Sequence, residues 1–455
     1  MNIYLKVEIL AREIDGRLLL GLVAAERGHR VLLGDVRPML SHRLWVPPGI
    51  FHDKTLTPST SRLRLQELLH ERGFRFTSQD EEHGLLDEFG TWEDFADRRF
   101  SAETLARADR SFMWGPHDTA ALRRLHPAAA ERIVDTGSPR VDLWRPELQA
   151  FHAERELPGI EPGEPFVLFA HQSAIIMDRN PFWTRIQDQR PVYFRGDDDD
   201  WERGWYRRCV DEVRYLEHLI PAIRATARAN PGLRIVIRPH PLDADGSWEA
   251  LVGDIPELLV TRAGTASAWM SRASVIVHNG STIGFEAAAA GRPLISYRPT
   301  DARDRYVSNQ LGRTAAGQDE LLDLVRSAVA GEEPEGGWHT PGGVLTERLG
   351  TLDGPLAADR IVDEWERIGD GLDTADPFSA RRSNTLGSAH RTVGNVRRAL
   401  RQGRPAGGFV TDHKFRTLPF HEAQRFAAGL RRTLGRFEDV HLIRRGRRLL
   451  ELRSR

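Results

Sequence analysis

Two apolar, β-branched runs in the second half of the chain each stop at a cluster of small, polar or cationic residues, and this pattern restricts the fold more than any other feature. Residues 233–241 read Leu-Arg-Ile-Val-Ile-Arg-Pro-His-Pro, and residues 274–286 read Ser-Val-Ile-Val-His-Asn-Gly-Ser-Thr-Ile-Gly-Phe-Glu before an alanine run. Short apolar runs that lead into a helix belong to parallel sheets covered by helices. A helix opening at Ser281 and Thr282 offers unpaired N–H groups and a positive dipole end to an anion. Arg238 and His240 are expected to approach the same anion from the neighbouring strand end, with Pro239 and Pro241 stiffening the loop.

The rest of the chain repeats the alternation. Strands are expected at 2–9, 29–34, 74–78, 110–114 and 131–135, with helices at 15–27, 59–73, 91–109 and 117–125. A second series gives strands at 166–170, 233–238, 257–260, 274–278 and 293–297, with helices at 205–229, near 247–253, and at 265–271, 282–290 and 317–329. The reading is an α/β protein with two Rossmann-like parallel-sheet domains. The expected boundaries are a first domain at 1–142, a Pro- and Gly-rich linker at 143–165, a second domain at 166–353, a crossover helix within 354–380 and a basic extension at 381–455.

Several strand ends carry chemistry. Asn279, Gly280, Ser281, Thr282, Gly284 and Glu286 combine glycines, which allow close backbone approach, with hydroxyls and an acid. Arg238 suits a bidentate phosphate contact, and His240 suits phosphate binding or proton donation to a leaving group. His171, Gln172 and Ser173 end the strand at 166–170 and are candidates for the same ligand. Arg12, Glu13 and Asp15 follow the first strand, at the edge where open α/β sheets bind ligands. Glu13 and Asp15 are the candidate catalytic acids, and Trp45, Pro48 and Gly49 form a stiff apolar loop expected to wall an acceptor. Thr136–Asp142 reads as a hinge, with Arg140 and Asp142 pinning it.

Charge is unevenly distributed. Residues 381–455 hold 19 Lys and Arg against 5 Asp and Glu, so a chain of net charge −1 consists of a body at −15 and a tail at +14. Phosphates, an anionic membrane surface or the acidic body itself are the candidate partners of that tail. The single cysteine, Cys209, excludes an internal disulfide. No signal-peptide order or membrane-length apolar run occurs. A cytoplasmic protein is expected, with the inner membrane face as a candidate docking surface and no nucleic-acid partner.

The hinge Thr136-Gly137-Ser138-Pro139-Arg140-Val141-Asp142 and the turn Gly280-Ser281-Thr282-Ile283-Gly284-Phe285-Glu286 resemble the GT-B fold of nucleotide-sugar glycosyltransferases. The hinge is similar to the Thr-Gly-Asn-Pro of UDP-N-acetylglucosamine 2-epimerases and glycerophosphate polymerases, with Ser138 in place of Asn. The start Val7–Leu20 with Glu26–Val31, the Pro47-Pro48-Gly49-Ile50 loop and Asp412-His413-Lys414-Phe415 resemble the bacterial surface carbohydrate biosynthesis protein family. Arg238–Pro241 with Ser281-Thr282 is similar to capsule Kdo transferases and polysialyltransferases. That resemblance implies His240 on the donor phosphate, Ser281 and Thr282 on phosphate or sugar carboxylate, and Glu286 near the ribose. The expected protein is a metal-independent glycosyltransferase without a cofactor. It would transfer a Kdo-like or nonulosonic acid residue from a CMP-sugar to a glycan or lipid-linked acceptor. A 2-epimerase or UDP-sugar transferase, and a non-catalytic nucleotide-binding scaffold, are the alternatives.

Overall fold

A computed structural model describes residues 1–8, 10–35, 46–81, 92–171, 176–179, 199–240, 243–302, 304, 306–339, 343–350, 352–372, 374, 375, 377 and 420–454. The described residues of 1–145 and 346–455 form one compact unit, and those of 146–345 a second.

The first unit is built on an eight-stranded sheet. Its strands are β1 (Asn2–Val7), β2 (Arg30–Asp35), β3 (Ile50–Asp53), β4 (Arg75–Gln79), β5 (Arg110–Met113) and β6 (Ile133–Asp135), with two more from the C-terminal region. The order of the parallel part is β2-β1-β3-β4-β5-β6, so the chain steps outward in opposite directions from the β1–β3 boundary. Such a switch leaves a crevice outside the carboxyl ends of the two central strands. Here those ends are Val7-Glu8 and Asp53-Lys54.

The second unit holds β7 (Phe166–Ala170), β8 (Arg234–Ile237), β9 (Leu258–Val260), β10 (Val275–His278), β11 (Leu294–Tyr297) and β12 (Arg313–Ala315). Their order, β12-β11-β10-β7-β8-β9, is parallel throughout and reverses between β7 and β10. Ala170 pairs with His278, so His171 and Asn279 flank that switch. Val167, Phe169, Ile235, Ile237, Val275 and Val277 are buried together with Leu219 and Ile223 of the long helix Asp199–Ala229. Burial on both faces explains why these strands read as continuous apolar runs. Cys209 of that helix is half-buried, and burial pushes its thiol up to about 12, which makes it inert.

Three segments depart from expectation. The run 45–51 is no free loop beyond Gly49: Ile50–Asp53 form β3, all four buried. Its polar members are paired inside the core: Asp53 with Lys6 and Arg62, and His52 Nδ1 with the Thr77 hydroxyl at 2.9 Å. Residues 143–165 carry local structure, with Trp144 and Arg145 buried in the first unit, and the helix Gln149–Ala153 and buried Leu157 in the second.

The third departure is the basic C-terminal segment, of which residues 420–454 are described. They form a helix, Phe420–Leu434, and a hairpin of β13 (Val440–Gly446) and β14 (Leu449–Ser454). β14 adds antiparallel to β2, with Leu449 opposite Gly34 and Leu452 opposite Val31. The acidic body supplies the counter-charges: Arg436 pairs with Glu26 at 2.6 Å and Asp359 at 2.9 Å. A Cβ at Gly34 would lie 2.0 Å from the Arg448 carbonyl oxygen, so only glycine lets the hairpin close. Gly34→Val is expected to lift β14 from β2, seen as at least ~10-fold faster native-state proteolysis within 420–455. An unchanged cleavage rate would show that the hairpin is not held through this strand pairing.

Candidate functional site

The site of the second unit lies at the β7–β10 switch. His278, at the end of β10, is fully buried, and burial pushes its imidazole down to about 3, so it is neutral. It packs under the next helix, Ile283–Ala289: a Cβ on Gly284 would approach His278 Cε1 to 2.6 Å. The turn between them is fixed by Asn309. Its amide donates to Asn279 Oδ1 at 2.7 Å, and its Oδ1 accepts from the Gly280 N–H at 2.7 Å and from the Ser296 hydroxyl at 3.0 Å. Gly280 has φ +70°, and a Cβ there would meet the Tyr306 ring at 2.8 Å. Asn279 and Gly280 are therefore held rigidly, whereas Ser281 stays half-buried and Thr282 is exposed.

The helix opening differs from the expected anion cradle. The Ile283 N–H is taken by Ser281 Oγ at 3.4 Å, Gly284 N–H by the Ser281 carbonyl at 3.1 Å and Phe285 N–H by the Thr282 carbonyl at 3.1 Å. These first-turn amides are thus engaged within the turn, while Thr282 stays exposed beside them. Glu286 is buried, and its carboxylate accepts from the Ser267 hydroxyl on the neighbouring helix.

Beside this turn, Arg238 donates to the carbonyls of Ala263 at 2.7 Å and Gly264 at 3.1 Å, and its guanidinium lies 5.7 Å from the Trp269 ring centroid. Burial pushes it down to about 10, with the Glu286 charge pulling the other way. Its fork thus closes the loop after β9. His240 is half-buried, with its backbone N–H held by Asp243 Oδ2 at 3.0 Å. Asp243 is in turn anchored by the Trp248 indole N–H at 3.1 Å. His171, at the end of β7, stacks on Tyr215 with centroids 4.8 Å apart and meets Trp248 edge-on. Gln172, Ser173 and Pro241 lie outside the described residues.

The first unit brings a charged cluster to the β1–β3 switch. Glu13 lies inside the first helix, Leu10–Glu26, which begins five residues before the expected start at 15. Its Oε2 accepts from the Glu8 N–H at 2.7 Å, and Lys54 Nζ lies 3.8 Å from Oε1 and 3.2 Å from Glu8. Burial raises the Glu13 pKa above the usual carboxylate range, reinforced by the Glu81 charge, while Lys54, the Glu8 N–H and Arg17 pull it back. Glu81 pairs with buried Arg17 at 2.9 Å, and Arg140 donates to the Glu81 carbonyl at 2.9 Å. Gly16 allows this approach, because a Cβ there would lie 2.9 Å from Arg140 Cγ. Asp53, next to Lys54, is fully buried; burial alone would raise it, but Lys6 and Arg62 hold it below the usual range. A buried carboxyl with a raised pKa beside a lysine is chemistry suited to moving a proton.

Of the expected acceptor-side residues, Asp15 shares the first helix with Glu13 and is half-buried. Arg12 occupies the first turn of that helix. Pro48 and Gly49 are not brought to the cluster. They precede β3 at the amino edge of the sheet, where a Cβ on Gly49 would lie 2.2 Å from the Asn2 carbonyl and Tyr4 donates to the Pro47 carbonyl at 2.7 Å. A parallel strand starting at residue 50 requires this, since its carboxyl end is Asp53. Trp45 and Asp412–Phe415 lie outside the described residues. The sequence reading missed Lys54, Arg17, Glu81 and Asn309; a lysine directly after a buried apolar-plus-acid tetrapeptide was the one local signal available.

The two sheets, each with a switch point, define a protein of two Rossmann-like domains of the GT-B class. No protein-family model and no curated protein sequence matches the chain. Among solved structures it is similar to a protein assigned as a UDP-N-acetylglucosamine 2-epimerase from Listeria monocytogenes, at a TM-score of 0.50 and 10% identity, over 82% of this chain and 98% of that one. The UDP-GlcNAc 2-epimerase of Methanocaldococcus jannaschii follows at 0.46 and 12%, over 81% and 100%. The wall teichoic acid polymerase TagF gives 0.40 and 11%, over 70% and 73%. The first of these likenesses supports the fold.

Proposed function

We propose that the protein is a nucleotide-sugar enzyme of bacterial surface glycan assembly, a GT-B glycosyltransferase acting in the cytoplasm on a glycan or lipid-linked acceptor. One observation carries this reading: each unit places buried ionisable or hydrogen-bonding groups at its own topological switch point, one set suited to an anion and the other to a proton. In the second unit, His240 and the hydroxyls of Ser281 and Thr282 would hold the donor phosphates, with His171 and Asn279 beside them. His240 would neutralise the leaving phosphate as the glycosidic carbon–oxygen bond breaks, and Glu13 would take the proton of the acceptor hydroxyl. A CMP-activated ulosonic acid is the proposed donor.

The second reading is epimerisation of a UDP-sugar. Inverting a C–H centre needs a base and an acid, and Glu81 is a second acid whose charge raises the Glu13 pKa. Incubation with CMP-sugars and with UDP-GlcNAc, followed by chromatography of the nucleotides, separates the two. Free CMP whose formation falls about 10²-fold in His240→Ala is the expected result. Unchanged turnover in that variant would remove the donor site from this turn, and formation of UDP-ManNAc would replace transfer by epimerisation.

A further inference from the structure

A cavity of about 650 Å³ lies within the first unit, away from Glu13. Its walls are the Gly28–Arg30 turn before β2, the His441–Ile443 stretch of β13, the Arg453–Ser454 end of β14, Thr374 and Met1. Leu452 pairs with Val31, so Arg453 and Ser454 arrive beside Arg30 at the amino ends of β1 and β2. Glu13 follows the carboxyl end of β1, and six residues of strand separate the two edges by about 20 Å.

Two guanidinium groups, those of Arg30 and Arg453, give the walls their positive charge. Burial lowers the His29 imidazole below its ordinary value, so it adds a neutral ring nitrogen, and a second ring comes from His441. Among the described residues, Glu451 and Glu366 stand nearby, and each is divided between two basic side chains. Glu451, fully buried, lies 3.4 Å from Arg30 and also pairs with Arg445. Glu366 is 2.9 Å from His29 and also pairs with Arg27. The hydroxyls of Thr374 and Ser454 add neutral donors, and Leu442 and Ile443 add apolar surface. Guanidinium forks match phosphate oxygens bidentately, and the volume falls in the range of about 300–1,000 Å³ common for small-ligand sites.

We propose that this cavity binds a small soluble phosphate ester or diphosphate, at a second site separate from both switch points. The site exists only because the hairpin of β13 and β14 docks against β2, so ligand and hairpin stabilise one another. Thr374 and Arg453 stand exposed on its walls, so a soluble phosphate can enter from solvent, and comparison with vesicles separates that ligand from a lipid headgroup.

Calorimetric titration of the full chain with pyrophosphate and with glycerol 3-phosphate tests this, alongside co-sedimentation with phosphatidylglycerol-containing vesicles. The expected result is saturable binding of at least one soluble phosphate. It should weaken at least ~10-fold in Arg453→Glu, where a charge-assisted contact becomes a repulsion, and stay unchanged in His240→Ala, which alters the other candidate phosphate site. Arg453 is exposed near the end of an edge hairpin, so the variant should fold; His441→Gln is the second probe if circular dichroism shows otherwise. Absence of saturable binding, wild-type affinity in Arg453→Glu and His441→Gln, loss of binding in His240→Ala, or binding to vesicles alone would each overturn the proposal.

Discussion

Asp142→Ala is expected to lower the stability of the first unit by about 2–5 kcal/mol, since each buried donor left without its acceptor costs about 1–3 kcal/mol. Asp142 is fully buried and does two things at once. Its Oδ1 and Oδ2 accept from the N–H groups of Ala357 at 2.8 Å and Ala358 at 3.1 Å, which caps the helix Ala357–Ile368 from 215 residues away. It also faces Arg145 at 3.3 Å, whose guanidinium donates to the carbonyls of Gly354 at 2.8 Å and Pro355 at 3.1 Å. Alanine would leave the two amides without their acceptor, take the carboxyl away from Arg145 while its bonds to Gly354 and Pro355 remain, and free the chain where it returns to the first unit. Trp365 of the capped helix donates to Thr77 at 3.0 Å, so loosening should reach β4. Urea unfolding followed by tryptophan fluorescence measures the effect. A loss below about 1 kcal/mol would mean the pair counts no more than one in solvent.

The same carboxyl has a pH signature. Burial pushes Asp142 up to about 7, outweighing its donors. The native group therefore holds its proton at a pH where the unfolded one, near 4, has released it. That stabilisation is complete below about 4, declines as pH rises and is gone above about 7. Asp142→Asn should flatten stability across this window and fall between wild type and Asp142→Ala at pH 7.

The second unit was legible in the sequence because its strands are buried on both faces. Runs such as Arg234–Ile237 and Val275–His278 carry their apolar signal without interruption, and the helices between them end at glycines such as Gly253 and Gly291. The first unit hid more. β3 contains His52 and Asp53, polar residues whose burial depends on Thr77, Lys6 and Arg62, which lie on other elements. No local pattern announces such a strand. The hairpin of β13 and β14 was concealed by its own charge: Arg444, Arg445, Arg447 and Arg448 mark a basic extension, while Val440, Leu450 and Leu452 supply the buried face.

The candidate site divides the same way. Asn279–Thr282 and Arg238–His240 sit at strand ends that the turn chemistry marked in advance. Their partners were not visible, since Asn309 is tied to Gly280 across 29 residues and Arg238 to loop carbonyls 25 and 26 residues on. A sequence motif names the groups that can touch a ligand; it does not say which of them the fold has already occupied.

Glu13→Gln is expected to reduce kcat/KM for nucleotide-sugar turnover by about 10²–10⁴-fold, the usual worth of a positioned general base. The amide is nearly isosteric and still offers an oxygen to the Glu8 N–H, so folding should survive while proton transfer is lost. The pH profile gives a readout that a structural role would not move. Burial and the Glu81 charge raise the Glu13 pKa, so the acidic limb of wild-type kcat/KM should lie above the ordinary glutamate value near 4.3. Lys54 pulls that pKa down; Lys54→Met removes the pull and should shift the limb further upward while leaving the carboxylate able to act at higher pH. Glu13→Gln should abolish the limb altogether. Wild-type kcat/KM in Glu13→Gln, or a limb unmoved by Lys54→Met, would take the base away from this cluster.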